Sequence, residues 1–89
     1  MKIKNGFVLE KVGDSWLAVA VGELATQVNA LIKLNGSGAF LWELIAKEDL
    51  TESEMVDRLL AEYDVDREIA ERDIASFVAT LVKGGLIDD

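Results

Sequence analysis

The chain has 89 residues, with no cysteine and no histidine, and carries a net charge of −8 from 17 acidic against 9 basic side chains. The missing residue types exclude a disulfide framework, thiolate or imidazole catalysis and the commonest metal ligands, while the sign of the charge opposes nucleic acid and anionic membranes as partners. A chain of this length is expected to form a single domain, 1–89, burying only about 60 to 65% of the surface that its unfolded state exposes, which leaves little room for an internal active site.

The N-terminal segment before Glu10 has lysines but no apolar run of secretory length, and no stretch approaches the roughly 18 apolar residues of a membrane span. A soluble, cytoplasmic protein is expected. Phe7–Val12 and Trp16–Val21 are rich in β-branched and aromatic residues and are separated by Gly13, Asp14 and Ser15, a composition that predicts an antiparallel hairpin. Alternation sends Trp16, Ala18 and Ala20 to one face of the second strand and Leu17, Val19 and Val21 to the other. The bulkier second set is expected to face the core.

Small and polar residues from Gly22 to Asn29 predict an irregular connection. A third strand over Ala30–Leu34 then puts Ala30, Ile32 and Leu34 on one side and Leu31 and Lys33 on the other. Asn35 or Ser37 can cap the helix that follows, whose apolar stripe is Phe40, Leu41, Leu44 and Ile45, with Trp42 beside it. Thr51 to Glu54 has the spacing of a capping box and opens a second helix with Met55, Val56, Leu59 and Leu60 inward and Tyr63 at its end. Asp66 is the expected cap of the last helix. Ala70, Ile74, Phe77, Val78 and Leu81 form its core stripe, Ile69, Asp73, Ser76 and Thr80 a second edge, and Gly84 and Gly85 its stop, with Leu86 folding back. The expected class is α+β, strands first and helices second.

Motifs that would carry chemistry fail on inspection. Gly36, Ser37 and Gly38 open a helix, but a dinucleotide fingerprint requires glycine where Leu41 stands, and a phosphate loop requires a following lysine. Asp64, Asp66 and Glu68 alternate as in a calcium loop, yet Ile69 and Ala75 occupy the positions of its glycine and its bidentate glutamate. The serine and threonine hydroxyls have no histidine to activate them. The expected protein is no enzyme and holds no cofactor or metal.

Three binding classes remain. The helical pair at the C-terminus raises a DNA-binding transcription regulator, but the would-be reading segment carries Asp66, Glu68, Glu71 and Asp73 against Arg67 and Arg72, the reverse of a phosphate-seeking surface. A third strand at a sheet edge, beside the last helix, instead offers unpaired backbone groups to an added strand. Leu31 and Ile69, apolar where the pattern wants polar residues, are candidate walls of a groove there, and are equally compatible with core or dimer positions. A structural subunit that binds a partner protein is the other alternative, and an exposed edge leaves monomer or weak homodimer open.

The run Leu34 to Leu44, LNGSGAFLWEL, followed by the TESE helix start, by Glu62, Tyr63, Asp64 and Val65, and by a closing Gly-Gly-Leu-Ile, resembles the PqqD-like family, named for protein D of pyrroloquinoline quinone biosynthesis. The resemblance spans essentially the whole chain. It implies a winged-helix-like domain of three strands and three helices, non-catalytic, that binds the leader segment of a ribosomally made precursor peptide and delivers it to a modifying enzyme, often of the radical S-adenosylmethionine type. By the same resemblance the backbone of Leu31, Ile32, Lys33 and Leu34 would pair with the leader, while Arg67, Ile69, Ala70, Asp73, Ile74 and Phe77 would face it from the last helix. Lys33 and Arg67 would hold acidic leader residues, since local sign governs a rim contact more than net charge does. Nothing in the sequence fixes the precursor, so pyrroloquinoline quinone itself is not assigned.

Overall fold

A computed structural model describes residues 1–27 and 31–87. Strands β1 (Phe7–Val12) and β2 (Ser15–Ala20) form the expected hairpin, and a single-turn helix α1 (Leu24–Gln27) interrupts the connection to β3 (Leu31–Leu34). Ala30 lies outside the described residues. Helices α2 (Gly36–Lys47), α3 (Glu52–Glu62) and α4 (Arg67–Lys83) follow, giving the α+β order of sheet then helices. The sheet is antiparallel with order β1-β2-β3, so β3 is an edge strand.

Register decides which side of the sheet is covered. Leu9, Ala18 and Ile32 stand in one row across the three strands, and Trp16 pairs with Leu34 in the next. Ala18 is fully buried and Leu34 nearly so, with Leu9, Trp16 and Ile32 packed against the same core. The core face of β2 is therefore Trp16 and Ala18, and the expectation of Leu17, Val19 and Val21 is corrected. Bulk was the wrong criterion: the covered face is the one with Ala18, and the same core takes Trp42 of α2, whose ring meets Phe7 of β1 edge to face at 5.2 Å. The outer face keeps Val8, Val12, Val21 and Leu31 exposed.

Each helix starts and stops for identifiable reasons. Asn35, not Ser37, caps α2, its Oδ1 accepting from the Gly38 amide at 2.8 Å and from the Ser37 hydroxyl at 3.1 Å. Leu41, Trp42 and Ile45 are buried, while Phe40 and Leu44 are half-buried at the margin. The capping box of α3 is complete, with Thr51 Oγ1 accepting from the Glu54 amide and Glu54 Oε1 accepting from the Thr51 amide. Met55, Val56 and Leu59 are its buried face. Asp66 stands at the N-cap of α4 but makes no side-chain capping bond, so only its backbone plays the expected part.

The end of α4 satisfies its carbonyls in a Schellman motif: Leu86 N–H donates to Leu81 O at 2.9 Å and Gly85 N–H to Val82 O at 3.1 Å, with Gly85 at φ 71°. Leu86 is thereby folded into the core, as the sequence predicts. Its neighbour Ile87 forms an isolated bridge with Ile3, whose amide donates to Ile45 O. Ile3 is buried, a core position that the sequence reading missed because one isoleucine between lysines has no periodicity to reveal it.

Candidate functional site

Because β2 covers only one side of β3, the other side of that strand faces α4 across a groove of about 330 Å3. Ile32, Lys33 and Leu34 form the strand wall. The corner of strand and helix contributes Asn35, Ser37 and Gly38, and Leu41 of α2 reaches the floor. Helix α4 supplies Asp73, Ser76, Phe77, Thr80 and Leu81, a set spaced by three and four residues and so aligned along one face. Gly38 permits this crowding, since a Cβ there would stand 3.1 Å from Asn35 Oδ1 and 3.4 Å from the Leu34 side chain.

The groove has an apolar floor between polar rims. Leu34, Leu41 and Leu81 are buried beneath it and Phe77 is half-buried on its wall. Thr80 donates its hydroxyl hydrogen to the Ser76 carbonyl at 3.1 Å, which leaves the threonine oxygen free to accept. Lys33 on the strand side and Asp73 on the helix side make no ion pair with one another or with any other described residue. Such a surface can take main-chain hydrogen bonds along β3, apolar side chains on its floor and opposite charges at its rims. Among the described residues there is no group of three or more carboxylates placed to hold a metal, and no helix is long and apolar enough to cross a membrane.

The predicted site residues divide. Ile32, Lys33, Leu34, Asp73 and Phe77 come together on the groove. Leu31 is paired with Val19 and projects from the outer face of the sheet, 67% exposed. Ile69 is exposed one turn before Asp73, outside the lining. Ala70 and Ile74 are buried in the core beneath the helix. Arg67 is held by Asp57 at 3.3 Å and Glu71 at 3.6 Å.

Asn35, Ser37, Gly38, Leu41, Ser76, Thr80 and Leu81 were not among the predicted site residues. Ser76 and Thr80 were readable as such, because they share the helical edge of Asp73. The α2 corner was not, since a capping motif explains its residues fully without any ligand.

The α4 side of the groove carries no basic side chain among the described residues, unlike a helix that reads duplex DNA. No curated protein matches the chain. A solved structure of TbiB1 in complex with the TbiA(beta) leader peptide is similar over 100% of both chains, at 29% identity and a TM-score of 0.72. A lasso peptide synthetase B1 complexed with the leader peptide shares the fold over 96% of this chain and 93% of its own, at 21% identity and a TM-score of 0.67. The family model of coenzyme PQQ synthesis protein D matches residues 17–87, from the middle strand to the closing bridge at Ile87, and the chain belongs to the PqqD family.

Proposed function

We propose that this chain is a non-catalytic recognition domain that binds the leader segment of a ribosomally made precursor peptide as an added strand on β3 and presents the remainder to a modifying enzyme in the cytoplasm. The observation that carries this reading is the free edge of β3 facing α4 across an apolar-floored groove. Main-chain hydrogen bonds to the edge supply affinity that is indifferent to sequence, and the groove floor supplies register by accepting alternate side chains. The two solved structures of similar fold, each in complex with a leader peptide, support the same kind of ligand. A radical S-adenosylmethionine enzyme is the modifying partner that family membership favours.

Backbone pairing is assigned to Leu31, Ile32, Lys33 and Leu34, and side-chain contact to Asp73 and Phe77, with Ile69 at the groove entrance. Ala70 and Ile74 act from below, by fixing the height of α4 over the sheet. The test is a nitrogen-proton NMR titration of the labelled protein with the leader encoded by the short precursor reading frame nearest its gene. Shifts concentrated from Leu31 to Leu34 and from Ile69 to Thr80 are expected. Shifts confined to the outer sheet face or to α3 would relocate the site, and a protein that left the groove unchanged at large excess of every neighbouring leader would defeat the reading.

A further inference from the structure

A second cavity, of about 410 Å3, lies at the β1–β2 turn. It shares Lys33, Leu34, Asn35, Gly38 and Phe77 with the β3–α4 groove and adds Asp14 and Ser15. The two cavities are therefore lobes of one channel, which passes the C-terminal end of β3 and opens beside the hairpin. Strand β3 has four residues and spans only about 13 Å at the usual rise. A peptide paired with it along the first lobe runs past the C-terminal end of the strand, where the second lobe lies.

We propose that the second lobe is a subsite for a basic side chain of the same peptide, just outside the strand-paired stretch, with Asp14 as the specificity-determining residue. This rests on the peptide-binding reading of the groove. Asp73 lines the first lobe, Lys33 both and Asp14 the second, so the charges run negative, positive, negative along the channel. None of the three is in an ion pair among the described residues.

The ordinary reason for an aspartate in a turn does not operate at Asp14. Turn aspartates hydrogen-bond to nearby backbone, whereas the Asp14 carboxylate makes no hydrogen bond among the described residues, and the bend is set by Gly13 at φ 62° in the first turn position. Pairing of Val12 with Ser15 fixes the position of Asp14 from both sides. Its backbone is thus held in place, while its carboxylate is exposed and, among the described residues, free to take a cation. The net charge of −8 favours the approach of basic segments to the protein as a whole.

The test is parallel selection of a random linear peptide library on the wild-type chain and on Asp14→Lys, a substitution confined to an exposed turn. Both proteins are expected to enrich peptides with a common apolar segment, flanked at one end by Lys or Arg on the wild type and by Asp or Glu on the variant. A synthetic wild-type-selected peptide should lose about two- to fivefold in affinity against Asp14→Asn, a loss that shrinks as salt is raised. Identical flanks from both selections would overturn the subsite while leaving peptide binding on β3 intact. Recovery of no peptide, or of peptides that leave the β3 and α4 amides unshifted, would overturn both.

Discussion

Arg67 reaches from the start of α4 to Asp57 of α3, both terminal guanidinium nitrogens lying 3.3 Å from Asp57 Oδ1, while its Nε stands 3.6 Å from Glu71. Of the two cations that the resemblance suggests for acidic leader residues, Arg67 is thus already occupied at the rim of the domain, whereas Lys33 is on the groove and unpaired among the described residues. Lys33→Gln is expected to weaken binding of a leader with an acidic residue over β3 by about two- to fivefold, and Arg67→Gln to leave it nearly unchanged, the pair being exposed. Calorimetric titration of both variants at low and moderate salt checks this. An equal loss in both would put Arg67 back on the peptide.

Leu31 and Ile32 are adjacent and serve opposite faces, which separates two contributions of the strand. Leu31→Lys changes an exposed side chain and should leave the unfolding midpoint almost unmoved. Its effect on binding is limited to cross-strand neighbours on the outer face, worth about 0.2 to 1 kcal/mol. Proline at Ile32 deletes a backbone donor and distorts the strand, so it should abolish binding and also cost stability. Affinity measured beside denaturant unfolding for both variants tells the two effects apart.

The hairpin, the capping box of α3 and the Gly-Gly stop of α4 were readable in the sequence because each depends on residues within a few positions of one another. The inward face of β2 was not. Alternation shows that two faces exist, but choosing between Ala18 and Val19 requires knowing that the alanine side is the one covered by the core that takes Trp42 of α2. The groove was half readable for the same reason. The edge strand and the Asp73 face follow from local pattern, while the contributions of Asn35, Gly38 and Leu41 arise only when α2 is folded against β3.

Glu48, the C-cap of α2, accepts from Arg58 Nη1 at 3.0 Å and Nη2 at 2.9 Å, joining the end of α2 to α3. These hydrogen bonds hold the Glu48 carboxyl below its ordinary range, with a smaller opposing push from desolvation. A carboxylate whose folded-state pKa is depressed adds stability above its unfolded value, near 4.5, and loses it as pH falls through the lower folded value. Arg58→Gln should therefore be less stable than wild type at neutral pH, by a small margin because the pair is exposed, and the difference should close as the medium is acidified below about pH 4. Thermal unfolding of both proteins across that range is the measurement. A gap that persists in acid would assign the loss to packing of the arginine stem.

Phe77 and Val78 are neighbours on α4 with different duties: Phe77 is half-buried on the groove wall, and Val78 is buried in the core. Removing either side chain to alanine is expected to cost about 2 kcal/mol of stability, Phe77 because its large ring is only partly covered and Val78 because its smaller isopropyl group is covered almost wholly. Binding should separate them. An aromatic wall at the centre of a groove is the kind of residue that dominates recognition, so Phe77→Ala should lose at least about tenfold in leader affinity. Val78→Ala should lose little once the fraction folded is accounted for. Affinities taken well below each variant's unfolding temperature provide the comparison, and equal losses would mean that Phe77 supports α4 without touching the peptide.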